Sequence, residues 1–209
     1  MTDRPHIEFE PGESVPAARV LETMQPHRQS EVLCAVIKRG DDELVHWALV
    51  RAAELEDHAH ANVLQEAAGS DNAGLALEAV RSQAALGSGK ARIGVLGRAL
   101  WSGHETVALE AADRLRDFDL RDRADSDYML QHDVCDALCF AARQTKHESV
   151  VLQILDLATQ PGLHNKSNEF RVMCVAQNCS LGSVGLIARA RVVEMQSADS
   201  SLNEFAYRY

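Results

Sequence analysis

Apolar residues recur every three to four positions from about residue 30 to residue 196, in segments separated by short polar breaks. This spacing places the apolar side chains on one face of a helix, so it predicts short amphipathic helices. Alternation of apolar and polar residues, which is typical of half-buried strands, is sparse. The beginning of the chain differs because it holds four of the five prolines. We therefore predict an irregular N-terminal arm or cap over 1–29, a helical domain over 30–196 and a C-terminal tail over 197–209.

The helical segments form a repeat. Each unit begins with a large apolar residue, followed three positions later by a smaller residue on the same face of the helix. The large residues are Leu33, Leu64, Leu96, Leu138 and Met173, at spacings of 31, 32, 42 and 35. The smaller residues are Val36, Ala67, Ala99, Ala141 and Ala176. A polar break and a second apolar segment follow in each unit, so the pattern predicts about five helical hairpins stacked in sequence.

Two of these units share a more specific motif. The third unit carries Leu96, Ala99, Gly103, His104, Glu105 and Val107, and the fourth carries Leu138, Ala141, Ala142, His147, Glu148, Val150 and Val151. This motif resembles the ankyrin repeat, in which Leu-His-x-Ala-Ala in the first helix precedes Gly-His-x-Glu-Val-Val at the second. The resemblance covers about residues 31–193 and implies an all-α solenoid of about five ankyrin-like hairpins. It also implies that His104 and His147 tie each turn to its neighbour.

The sequence departs from the ankyrin pattern in places. No unit has the Thr-Pro pair that opens a standard ankyrin repeat, and the glycine-bearing hairpins between units are mostly missing. A helical solenoid of the HEAT or armadillo type and an irregular helical domain therefore remain as alternative folds.

Composition narrows the possible partners and the compartment. The formal net charge is -10, which disfavours attraction to nucleic acid or to an anionic membrane surface. The apolar runs are too short to cross a bilayer, and the N-terminus lacks the pattern of a standard secretory signal. Five cysteines, an odd number, favour a reducing compartment. We predict a cytoplasmic bacterial protein, or one delivered to a host cell if it is a secreted effector.

The chain lacks the common catalytic motifs, so we predict no enzymatic activity and no cofactor. Gly87–Lys90 resembles part of a phosphate loop, but the first glycine of that motif and the hydroxyl residue after its lysine are missing. The alternative is a metal-dependent hydrolase. It would use His58 and His60, or the aspartates between residues 117 and 127.

Cysteines occupy one repeat position in three units. Cys34, Cys139 and Cys174 each follow the large residue that opens a unit, and we predict that all three are buried as small apolar groups. His132, Cys135 and Cys139 share one helix face, which leaves zinc binding as an alternative. We predict no metal site because paired Cys-x-x-Cys motifs are absent.

The resemblance to ankyrin repeats implies protein–protein recognition through the concave face of the stack. In that family the residue after the Leu-His pair points to the concave side, and here these residues are Ala35, Glu66, Arg98, Phe140 and Val175. We predict a partner-binding surface of Arg98, Trp101, Phe140, Arg143, Lys38, Arg39 and Glu66, because aromatic and arginine side chains dominate interface hot spots. An adaptor, an immunity protein and an effector all fit this function, and a structural subunit of a homo-oligomer is a further alternative.

Overall fold

The computed structural model describes residues 21, 23–39, 42–117, 127–160, 166–179 and 181–202. In these ranges the chain forms ten α-helices and two short 3-10 turns, and no strand. The helices are α1 (Pro26–Arg39), α2 (Asp42–Ala52), α3 (Asp57–Ala68), α4 (Ala73–Ser82), α5 (Gly89–Leu100), α6 (Glu105–Arg116), α7 (Asp127–Gln144), α8 (Glu148–Ala158), α9 (Lys166–Ala176) and α10 (Gly182–Ala198). The all-α prediction is confirmed for this part of the chain.

Both ends of the helical region lie slightly outside the predicted 30–196. Helix α1 begins at Pro26, a residue whose fixed φ suits the first position of a helix. At the other end α10 reaches Ala198 and a 3-10 turn follows at Ser200–Leu202. Leu202 is buried, so the first residues of the predicted tail belong to the packed structure.

Consecutive helices pack as pairs, and the pairs follow one another along the chain. The first helices of the pairs (α1, α3, α5, α7 and α9) each contact the next first helix, and we call them the first-helix row. The second helices contact one another in the same order. Among the described helices, extensive contacts join only members of the same pair or of neighbouring pairs. This packing is repeat-like, since each unit is supported mainly by its neighbours.

The residues that define the repeat form the core. The large residues that open the five units are all buried, and so are the smaller residues three positions after them. Alanine at these positions lets neighbouring helices approach closely. Gly97 marks one such approach, because a Cβ atom there would lie 3.0 Å from the Cβ atom of Ala137 on α7.

The three cysteines that share a repeat position differ in burial. Cys139 and Cys174 are buried as predicted, whereas Cys34 is only half-buried and the prediction is wrong for it. Cys139 lies on α7, which has α5 and α9 on its two sides. Cys34 lies on α1, which among the described first helices has only α3 beside it. The two cysteines therefore have different helical surroundings although they share a repeat position.

Candidate interaction surface

A groove of about 700 Å³ runs along the first-helix row between α1 and α3 and reaches α5. The side of α1 that lines it includes His27, Glu31, Cys34 and Lys38, which are spaced by three or four residues. That spacing places the four side chains on one face of the helix. We call this cavity the first-helix groove. Its volume is within the range of typical ligand-binding cavities.

Three of the predicted binding residues, Lys38, Glu66 and Arg98, line the first-helix groove. Lys38 Nζ lies 3.2 Å from Glu66 Oε2, so this ion pair connects α1 to α3. Both side chains are partly open to solvent, which limits such a pair to at most about 1 kcal/mol of stability. The pair therefore orients two polar groups at one end of the groove more than it stabilises the fold.

Arg98, Trp101 and Phe140 form one cluster, contributed by α5, the residue that follows it, and α7. The Arg98 guanidinium carbon lies 3.9 Å from the Trp101 ring centroid. The Trp101 and Phe140 rings meet edge-on, with centroids 4.9 Å apart and an interplanar angle of 71°. These geometries are those of favourable cation–π and aromatic contacts. The structure thus brings together three of the residues that the sequence placed on the binding surface.

The cluster is supported from below by Gly69. A Cβ atom at Gly69 would lie 2.2 Å from Arg98 Nε, so the guanidinium group rests directly on the end of α3. Trp101 is partly buried against the core, whereas the Phe140 side chain is 45% exposed. The cluster therefore has a buried base and an exposed edge.

The remaining predicted residues make no ring contact in this cluster among the described contacts, or lie below the surface. Arg39 and Arg143 are exposed in the last turns of α1 and α7. The negative end of the helix dipole favours a cation at both places. Val175, expected on the concave side, is buried, and this expectation is wrong. Helix α9 packs against α7, α8 and α10, and nearly all of its last two turns are buried.

The turns within the hairpins are joined by a ladder of histidine contacts. His104 Nε2 lies 2.7 Å from the carbonyl oxygen of Asp71, and His147 Nε2 lies 3.1 Å from that of Gly103. The prediction that each imidazole ties its turn to the preceding one is confirmed. Ser102 Oγ and Thr145 Oγ1 accept the backbone N–H groups of His104 and His147, both at 3.2 Å, and so fix the turn that holds each ring.

A second ladder runs beside the histidines. Ser149 donates a hydrogen bond to Glu105, and Ser183 donates one to Glu148. The His-Glu pairs were recognisable in the sequence, but these hydroxyl partners were not. A Ser or Thr two residues before each histidine was a signal only for the hydroxyls of Ser102 and Thr145, which fix the turns.

Residues at the site of the alternative hydrolase hypothesis are buried or hydrogen-bonded within the fold. His60 is buried, and burial lowers its pKa. The Asp57 carboxylate accepts the N–H groups of Gly87 at 2.8 Å and Ser88 at 2.9 Å. Asp57 therefore fastens α3 to the loop before α5, which is the segment that resembled a phosphate loop. Of the aspartates between 117 and 127, Asp117 is exposed, Asp127 begins α7, and Asp119, Asp122 and Asp125 lie outside the described residues.

The alternative zinc ligands also have other partners. His132 Nδ1 lies 3.2 Å from Asp136 Oδ2, and Cys135 Sγ lies 3.8 Å from the carbonyl oxygen of Asn168. The hydrogen bond with Cys135 and burial together raise the pKa of the Cys139 thiol. Within the described ranges, no group of three or more His, Cys, Asp or Glu residues is placed to hold a metal ion.

None of the helices in the described ranges combines the length and the apolar character that crossing a membrane requires. Comparisons with protein-family models, with curated proteins and with solved structures find no match to this chain.

Proposed function

We propose that this chain is a protein-recognition module that holds a segment of a partner protein along its first-helix row. The observation that carries the proposal is the continuity of two features. The first-helix groove contains Arg98 in its lining, and the same side chain stacks on Trp101 beside the exposed edge of Phe140. A polar groove that leads to an aromatic and arginine cluster combines the chemistry on which interface hot spots depend.

We also propose that the five helix pairs are a degenerate ankyrin-like solenoid. The histidine ladder supports this, because His104 and His147 occupy equivalent turns and bond to the turn before. The described linkers between pairs, 53–56 and 83–88, contain no strand, so they do not form the β-fingers of standard ankyrin repeats. Adaptor, immunity and effector functions in a bacterium all use such a surface.

The experiment compares an exposed apolar side chain on the first-helix row with one on the second helix of a pair. Phe140 is 45% exposed on the first-helix row, and Leu152 is 43% exposed on α8 in the second row. The full-length chain, Phe140→Ala and Leu152→Ala are immobilised, and proteins from an extract of the source organism are captured and identified by mass spectrometry. We expect one partner that Phe140→Ala loses and Leu152→Ala retains. Equal retention by both variants would show that this row does not recognise the partner.

A structural subunit of a homo-oligomer is a second candidate, and one observation favours it. Leu186, Ile187 and Val193 on α10 are 68%, 52% and 57% exposed, which is unusual for large apolar side chains on one helix. Light scattering during size-exclusion chromatography of the full chain tests this candidate. A mass equal to one chain at every concentration would exclude it.

A further inference from the structure

The two ends of the first-helix groove differ in charge. Towards the N-terminal ends of α1 and α3 the lining contains Glu31, in the second turn of α1, and Glu56, the residue that precedes α3. At the opposite end the lining contains Lys38, paired with Glu66, and Arg98. The groove therefore has an acidic end and an end that carries cations and leads to the aromatic cluster.

The two carboxylates at the acidic end are available to a ligand. Glu31 and Glu56 are both exposed, and the ion pairs found among the described residues include neither of them. Glu56 occupies the position before the first turn of α3, yet its side chain makes no capping hydrogen bond. Glu66 differs, because its carboxylate is engaged by Lys38. The acidic end thus presents two negative charges that no ion pair within the described ranges engages.

The length of the groove limits what occupies it. From His27 to Lys38 the lining side of α1 rises about 16 Å, at about 1.5 Å per residue. An extended chain advances about 3.3 Å per residue, so about five residues of an extended segment span the groove.

We infer that the first-helix groove receives an extended, positively charged segment of a partner protein, with an arginine or lysine side chain between Glu31 and Glu56. The inference rests on the proposed function, because it uses the same groove, and it adds the charge of the bound segment and the position of its cation. The net charge of -10 favours the approach of such a segment from solution. The carboxylates then select the position of its cation.

Three mixtures of short synthetic peptides test the inference by fluorescence anisotropy with the full-length chain. The mixtures share randomised serine, alanine and leucine positions and differ only at two fixed positions, which are arginine, glutamine or glutamate. We expect the arginine mixture to bind most tightly. The double variant Glu31→Gln/Glu56→Gln is expected to weaken that binding roughly fivefold to tenfold, because two direct charge contacts are lost.

The matched control removes the same two charges outside the groove. Glu54 pairs with Arg51, and Glu78 pairs with His46. Both carboxylates are also exposed to solvent. The double variant Glu54→Gln/Glu78→Gln is expected to change binding of the arginine mixture less than twofold. Equal weakening by the two double variants would mean diffuse attraction to an acidic protein and would overturn the inference.

Other outcomes also separate this inference from the proposed function. Preferred binding of the glutamine or glutamate mixture, or no binding of any mixture, would overturn the charge assignment. Neither result changes the comparison of Phe140→Ala with Leu152→Ala, which reports on partner recognition by the first-helix row whatever the charge of the partner.

Discussion

The Nε2 atom of His147 lies 3.1 Å from the carbonyl oxygen of Gly103, which belongs to the turn of the preceding helix pair. The two residues are 44 positions apart in the chain, so this contact joins one repeat to the next. The equivalent contact of His104 with Asp71 joins the second pair to the third. The turns are therefore coupled through side chains as well as through the packed helices.

Replacing His147 with alanine is expected to lower the free energy of unfolding by about 1 kcal/mol, the usual contribution of one hydrogen bond. Urea unfolding followed by circular dichroism measures the change. His132→Ala is the control, because that exposed histidine contacts only Asp136 on its own helix among the ion pairs found. We expect this control to lose less than about 0.5 kcal/mol. Equal losses in the two variants would contradict a coupling between turns.

Ala141 lies at a fully buried position where α7 packs against its neighbours. Ala141→Leu adds side-chain volume to a packed core, and we expect a loss of about 1–3 kcal/mol of stability. The control is Ala190→Leu, an equal change at an exposed position of α10, which is expected to alter stability by less than about 0.5 kcal/mol. Thermal melting that is unchanged by Ala141→Leu would disprove the assigned register of the fourth unit.

The cysteines are expected to react with iodoacetamide in an order set by burial. Cys34 is half-buried in the first-helix groove, so it should react faster than Cys139 and Cys174 in the folded protein. Burial and the nearby Glu66 raise the pKa of the Cys34 thiol. Its thiolate fraction, and hence its labelling rate, should keep rising at pH values above those of an ordinary cysteine.

Peptide mass spectrometry at several labelling times gives these rates residue by residue, and labelling in denaturant provides the control. In denaturant all three cysteines should react at similar rates. Folded-state labelling of Cys139 or Cys174 as fast as that of Cys34 would contradict their buried positions.

Glu169 on α9 is buried, and its Oε1 atom accepts two hydrogen bonds from Arg191, at 2.9 Å and 2.8 Å. Arg191→Met removes these charge-assisted bonds and is expected to cost about 2 kcal/mol or more of stability. The double variant Glu169→Met/Arg191→Met should recover part of that loss, because no buried carboxylate remains. A double variant that is less stable than Arg191→Met in urea unfolding would refute this account.

The parts of this structure that were predictable from sequence depend on local periodicity. Leu96 and Ala99 lie three residues apart, and this spacing alone places both on the buried face of one helix. His104 was assignable because the same residue type recurs at the equivalent turn. These features repeat along the chain, so each unit gives information about the others.

The parts that were not predictable depend on which helices lie side by side. Cys34 has the sequence position of Cys139, but it lines the groove between α1 and α3, whereas Cys139 is buried. Asp57 bonds to a loop 30 residues further along the chain, and no local pattern indicates that contact. Glu31 and Glu56 line the same groove only because α1 packs on α3. The spacing of residues within one helix does not contain this information.

A change at Gly69 tests the cluster of Arg98, Trp101 and Phe140 without altering its members. The backbone of Gly69 has φ -93° and ψ 5°, a conformation that alanine also adopts, so Gly69→Ala introduces little backbone strain. Its Cβ atom would lie 2.2 Å from Arg98 Nε, and the flexible guanidinium group must therefore move away from the Trp101 ring. We expect the upfield shift of the Arg98 side-chain protons caused by that ring to decrease in NMR spectra, with the melting temperature nearly unchanged.

Gly103→Ala is the matched control, because no atom lies within 4 Å of a Cβ atom built there. If Arg98 acts in recognition from its place on Trp101, Gly69→Ala should weaken capture of the partner as much as Arg98→Ala does. The double variant Gly69→Ala/Arg98→Ala should then show no further loss, since both changes remove the same contact. Additive losses would mean that Gly69→Ala weakens capture by a route other than the displacement of Arg98. Unchanged capture by both single variants would remove the cluster from the recognition surface.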